Sequence, residues 1–177
     1  MVISDTKIKK LLASKVLTIT PLEDEQIQGA SVDIRLGNSF SFTEEYEGII
    51  TMDRQIQYKT IETESYLLLP GQFVLATTRE FVSLPDNIAA YVEGRSSIGR
   101  MGLFIQNAGW IDPGFAGEIT LELFNANKNA IELKAGRRVG QLVFHWMDES
   151  ADNPYNGKYQ GQEGATGSMI HKDWEAL

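Results

Sequence analysis

The sequence has 177 residues, a net charge of −8 and 42% hydrophobic residues, the proportions of an ordinary globular chain with core enough for one domain. It contains no cysteine and only two histidines, His145 and His171, which excludes disulfides, thiolate nucleophiles and metal centres built from cysteine or clustered histidine. No apolar run approaches the ~20 residues of a membrane span, the opening MVISDTKIKKLLASKV is too polar for a signal peptide, and the acidic balance argues against a general nucleic-acid binder; the expected setting is cytoplasmic, with no membrane or nucleic-acid partner.

In chain order, Ser4 is placed to cap a short amphipathic helix through DTKIKKLLASK, with Ile8, Leu11 and Leu12 on one face. Strand patterns dominate thereafter. In SVDIRLG, Val32, Ile34 and Leu36 alternate with polar neighbours. YLLLPGQFVLATTREFVSLP holds two strand-forming runs, broken at Pro70-Gly71 and closed by Pro85. In EITLELFN, Ile119, Leu121 and Leu123 alternate with Thr120, Glu122 and Phe124, and RRVGQLVFHW reads as a last strand. Many short strands between glycine- and proline-rich turns predict a mainly β jelly roll or distorted barrel. From about Asp148 the chain turns polar and glycine-rich, a composition that predicts a mobile tail. That tail nonetheless carries ligand-contacting residue types and is suited to close over a ligand or a neighbouring subunit.

Four segments carry chemistry. EGRSSIGRMG places Arg95, Ser96, Ser97 and Arg100 among glycines, a set suited to phosphate oxygens; a polar turn ahead of a buried strand explains it equally well. NAGWIDPGFAGEITLELFN contains the turn signature Asp112-Pro113-Gly114. Glu122, in its alternating strand, reads either as a solvated outer-face carboxylate or as a proton shuttle poised by burial in a pocket. In AGRRVGQLVF, Gln141 interrupts the apolar run, and it either points into a polar site or is exposed. The tail segment PYNGKYQGQEGA offers Lys158 as a compact charge, with tyrosines and glutamines as hydrogen-bonding groups; a disordered terminus is the plain alternative.

Taken together, GRSSIGR, AGWIDPGF, TLELFN, GQLVF and PYNGKYQGQEGA resemble, in order and spacing, the dCTP deaminases of the dUTPase-like superfamily. The likeness runs from GASVDIRLG into the tail. It implies one dUTPase-like domain over residues 1–177, a distorted β-barrel or jelly roll with a short N-terminal helix, and residues 148–177 as a tail closing over the active site. It further implies a homotrimer with intersubunit active sites and a deoxynucleoside triphosphate ligand carrying Mg²⁺ on its phosphates. By motif, Glu122 resembles the general acid/base. Ser96 and the Ala108 carbonyl resemble the groups that hold the attacking water, and Arg100 the support of ring and carboxylate. Arg95, Ser96 and Ser97 resemble phosphate ligands, Asp112 the ligand of the deoxyribose 3′-hydroxyl, and Tyr155, Lys158 and Gln162 the tail's triphosphate ligands.

The implied chemistry is zinc-independent. Base deaminases commonly lower the pKa of a water on zinc held by an H-x-E and P-C-x-x-C pattern, and neither motif occurs here; water must be polarised by hydrogen bonds and a carboxyl group. NAGWID also resembles the dUTPase motif that places a water for attack on phosphate. Trp110 stands where single-step enzymes carry a charged residue, and Gln141 matches a phosphate-contacting glutamine. These three features resemble the bifunctional dCTP deaminase/dUTP diphosphatase type, whose product is dUMP. The rivals are a monofunctional deaminase releasing dUTP, a pure dUTPase, and a non-catalytic nucleotide-sensing β-protein. Two departures stand out: Asn107 replaces a threonine linked in many members to inhibition by dTTP, and Ile105 and Gln106 stand near where a histidine is common.

Overall fold

The computed structural model describes residues 1–44, 48–105 and 108–173. Helix α1 (Asp5–Ala13) buries Ile8 and Leu11 and packs Leu12 against the core, as the 3.6-residue period predicts. Ser4 occupies the N-cap position but donates and accepts nothing there through its side chain; only its backbone carbonyl is used, by Lys7 and Ile8.

The strands are β1 (Thr18–Thr20), β2 (Ile27–Gln28), β3 (Ser31–Phe42), β4 (Lys59–Glu62), β5 (Ser65–Leu68), β6 (Phe73–Ser83), β7 (Ile88–Gly94), β8 (Leu103–Ile105), β9 (Trp110–Ile111), β10 (Ala116–Asn125), β11 (Ile131–Lys134) and β12 (Arg138–Trp146). A four-residue helix, α2 (Ser96–Gly99), lies between β7 and β8. One antiparallel sheet runs β8-β10-β6-β3-β12-β7-β9, with β1 added to β6 and both β2 and β4 added to β3; β5 and β11 pair separately. The chain is thus mainly β, as the sequence predicts.

β3 makes the sheet curl. Its first half pairs with β12, from Val32 opposite Leu142 to Arg35 opposite Arg138. Its second half pairs with β6, and the register shifts between Leu36 and Phe40. Gly37 lies in that shift. A Cβ there would sit 2.4 Å from Thr77 Cγ2, so the crossing of β3 over β6 needs a residue without a side chain. Phe40, Ile34, Leu121, Leu142 and Phe144 are fully buried between the two halves, each worth roughly 1.5–3 kcal/mol in transfer from water.

The polar residues of SVDIRLG alternate with apolar ones, as the sequence shows. The structure covers both faces: Asp33 and Arg35 are as inaccessible as their apolar neighbours. Charges so placed need partners. Arg35 Nε donates to Glu80 Oε1 at 2.7 Å, its Nη1 to Glu23 Oε1 at 2.7 Å and its Nη2 to Pro21 O at 3.1 Å, while Gln26 Nε2 donates to the same Glu80 oxygen at 3.0 Å. Burial works against the Arg35 charge, but the hydrogen bonds to Glu80 and Glu23 outweigh it and hold its pKa above the usual arginine value.

Candidate active site

β10 keeps its predicted period of two: Ile119, Leu121 and Leu123 are buried, while Thr120 and Glu122 face the other way, half-buried. The segment before β10 is shaped by a tight turn, Asp112 to Phe115, in which Phe115 N donates to Asp112 O at 3.3 Å. Pro113 occupies the second position and Gly114, at φ +87°, the third, the chemistry of a type II turn. The turn lifts the Asp112 carboxylate, which accepts a hydrogen bond from Trp110 Nε1 at 2.8 Å. The indole meets Tyr91 edge-on, with ring centroids 6.4 Å apart.

These pieces enclose a cleft of about 460 Å³, and six residues singled out from the sequence line it: Ala108, Trp110, Asp112, Glu122, Tyr155 and Gln162. The arrangement offers the Glu122 carboxyl group, a second carboxylate fixed by an indole, and apolar walls from Phe73, Leu75 and Ile119. Mostly apolar walls with a few convergent polar groups are the usual character of a small-molecule site.

The tail does not trail into solvent. Tyr155 N donates to Pro113 O at 2.7 Å and Gly161 N to Ala116 O at 2.7 Å, and Gln162 Nε2 donates to Glu118 O at 2.7 Å. Composition hides this because the partners are backbone atoms, which no residue type advertises. Lys158 pairs with Asp173 and lies 5.6 Å over the Tyr159 ring, outside the lining of the cleft.

The other predicted residues lie elsewhere. Arg95, Ser96, Ser97, Arg100 and Gln141 do not line the cleft. Ser96, Ser97 and Arg100 are exposed on and just after α2. Arg95 Nε is 3.5 Å from Asp33 Oδ1, and Arg138 Nη1 is 3.3 Å from Asp33 Oδ2. Gln141 accepts from Ser31 Oγ at 3.0 Å. A second polar patch therefore gathers around the buried Asp33 carboxylate. Gln106 and Asn107 lie outside the described residues.

Sequence reasoning missed Tyr58, Thr120, Thr166 and Ser168, which also line the cleft. Thr120 was accessible from its place two residues before Glu122 on the same face. Tyr58 and Ser168 come from loops and carry no local pattern. Asp33 and Arg138 were missed as well; a charge in a strand covered on both faces is the signal that marks Asp33.

Among the described residues, no group of three or more acidic or histidine side chains is placed to hold a metal ion. No helix among the described residues is long and apolar enough to cross a membrane.

Comparison with known proteins places the chain in a family. A family model described as dCTP deaminase-like matches residues 2–147. A protein of Persephonella marina named "dCTP deaminase, dUMP-forming" is 50% identical over 178 residues, covering 98% of this chain and 99% of its own length. One of the same name from Aquifex aeolicus is 48% identical, covering 99% and 98%. Among solved structures, the 2′-deoxycytidine 5′-triphosphate deaminase of Agrobacterium tumefaciens superposes with a TM-score of 0.64 at 23% identity, over 81% of this chain and 47% of that longer one. A mutant dUTPase of Staphylococcus aureus phage phi11, described with a structural Mg(II) ion, superposes with a TM-score of 0.52 at 15% identity, over 80% of this chain and 97% of that one. These two structures bear on the fold, and the sequence relatives bear on the family: the chain belongs to the dCTP deaminase-like family.

Proposed function

We propose that the protein converts dCTP to dUMP in two hydrolytic steps, without zinc. The observation that carries this reading is the meeting of Glu122, Ala108 and Asp112 in one cleft, in a chain about half identical to proteins named dUMP-forming dCTP deaminases. In the first step water adds to C4 of cytosine. Glu122 takes the water's proton and delivers it to N3, and the Ala108 carbonyl holds the water by accepting its other hydrogen. Glu122 then takes the proton of the new C4 hydroxyl and passes it to the amino group, and the C4 carbonyl forms as ammonia leaves, giving dUTP. In the second step a water oxygen bonds to the α-phosphorus as the bond to the bridging oxygen breaks, releasing dUMP and pyrophosphate. Asp112 holds the 3′-hydroxyl and Trp110 holds Asp112. Mg²⁺ riding on the phosphates would neutralise charge on the leaving group.

This reading assigns the phosphates to the second patch. Arg95, Ser97 and Gln141 contact phosphate, Ser96 completes the hold on the water, and Arg100 supports the ring and Glu122. One chain keeps these groups outside its Glu122 cleft, so the reading requires a neighbouring copy and favours a homotrimer with intersubunit sites. The surface supports it: Phe73, Phe104 and Phe124 are 54%, 61% and 37% exposed in one row across β6, β10 and β8, continuous with Glu122 on β10. Tyr155, Lys158 and Gln162 serve from the tail, with Lys158 exchanging Asp173 for phosphate. The remaining proposals are a single domain and a cytoplasmic setting.

The deciding measurement is incubation with dCTP and Mg²⁺, with ammonia, nucleotides and pyrophosphate assayed together. Ammonia, dUMP and pyrophosphate in equal amounts are expected. Accumulating dUTP in place of dUMP would refute the second step, and absence of ammonia would refute the first. Glu122→Gln should lower ammonia release by at least about a hundredfold while nucleotide binding, read by calorimetry, persists.

A further inference from the structure

β10 pairs with β6 along its length, but with β8 only at residues 123–125. Its other edge is open over residues 116–120, and the tail occupies it. Gly161 N donates to Ala116 O at 2.7 Å and Glu118 N to Gln162 O at 2.9 Å, so the tail runs parallel to β10. Two glycines make room for it. A Cβ on Gly114 would lie 2.6 Å from Pro154 Cβ, and one on Gly117 would lie 3.1 Å from Gln162 N and O.

After Gln162 the tail leaves the backbone edge and climbs onto the face of β10. Gly164, at φ +67°, turns its N–H to Glu118 Oε2 at 2.7 Å, and Thr166 N donates to Thr120 Oγ1 at 3.1 Å. Thr77 Oγ1 donates to the same Glu118 oxygen at 3.2 Å, and Ala165 N is held from the other side by Ser39 Oγ at 3.0 Å. The steps match: two residues along β10 for two along the tail, 118 with 164 and 120 with 166. The next residues in each row are Glu122 and Ser168, and both line the cleft. Glu118 itself does not line it.

We infer that Glu118 is a positioning residue whose carboxylate, with Thr120, sets the register of the tail on β10 and so places Tyr155, Tyr159, Gln162 and Ser168 against the Glu122 of the same chain. Bonds from neutral donors to a carboxylate are about twice as strong as neutral pairs, and this one falls where the tail has just lost its backbone partners. The consequence for substrate rests on the function proposed above; the docking of the tail does not.

The test compares Glu118→Ala, Glu118→Gln and the unaltered protein in two assays: the rate of trypsin cleavage after Lys158, and steady-state ammonia release from dCTP. The alanine variant should be cleaved faster and show a KM raised about tenfold, the loss expected for one hydrogen bond to a charged group, with kcat within about twofold. The glutamine variant keeps an acceptor oxygen and should stay within about threefold of the unaltered KM. Unchanged cleavage and KM in the alanine variant would overturn the inference. So would a glutamine variant as impaired as alanine, with both unfolding at lower temperature, since that pattern marks a merely structural residue. If the unaltered protein released no ammonia, the function would fail, and the cleavage rates would still decide the latch.

Discussion

Glu80 is a carboxylate with no solvent exposure, and what surrounds it explains how a strand core tolerates charge. Its two oxygens accept from Arg35 Nε, Arg35 N and Gln26 Nε2 at 2.7, 2.8 and 3.0 Å. Removing one member of such a set strands the other in a place water cannot reach. Glu80→Ala leaves Arg35 with Glu23, whose side chain is 65% exposed, and should cost about 3–5 kcal/mol in urea unfolding, the range for breaking a buried pair. The double variant Glu80→Met, Arg35→Met removes both charges and should recover most of that loss. If the single and double variants were equally unstable, packing volume and not the uncompensated guanidinium would be the cause. Asp33 poses the same problem with a different solution: its two arginine partners are themselves partly exposed, so this buried carboxylate anchors groups that remain available to a ligand.

At the scale of elements, what was legible followed from periodicity. β10 could be read as a strand with Glu122 on its accessible face, because a side-chain period of two holds when one face is buried. The Asp112-Pro113-Gly114 turn was legible because proline and glycine each impose one torsion. β3 was legible as a strand by the same period, but its burial was not: Asp33 and Arg35 alternate with apolar residues, yet both faces are covered, and alternation alone does not say whether a polar face meets water or buried partners. The tail was illegible because its anchors are backbone N–H groups on side-chain oxygens forty-six residues away, Gly164 on Glu118 and Thr166 on Thr120. Gly37 belongs with the legible glycines only after the crossing strand is seen. Gly37→Ala should cost about 1–3 kcal/mol, the usual penalty of overpacking, because its Cβ would meet Thr77 Cγ2 at 2.4 Å. Adding Thr77→Ser removes that methyl and should restore part of the loss in the urea midpoint; no restoration would mean that the contacts with the Thr78 and Thr77 carbonyls, at 3.1 and 3.2 Å, govern.

The whole molecule divides its candidate chemistry between two surfaces. The cleft of β10 holds the carboxyl groups, and the patch around Asp33 and α2 holds the cations and hydroxyls. Within one chain, Arg95, Ser96, Ser97, Arg100 and Gln141 do not line the cleft. The proposed association of copies would bring the two surfaces together without moving a strand. In the proposed ring, each chain would offer its cleft to one neighbour and its cationic patch to the other, a heterologous contact that would close at three. The exposed row of Phe73, Phe124 and Phe104 would give that contact an apolar seam, with the Phe104 and Phe124 rings 6.5 Å apart on one chain. Complementation tests the arrangement. Arg100→Ala and Glu122→Gln chains should each be inactive alone. Unfolded together in equal amounts and refolded, they should recover activity, because a cleft with intact Glu122 can meet a neighbour with intact Arg100. Random assembly gives such a site with a chance of one half times one half, so recovery should approach about a quarter of the unaltered activity. A mixture as inactive as its parents would mean that Arg100 and Glu122 must lie on the same chain, and the two surfaces would then belong to different tasks.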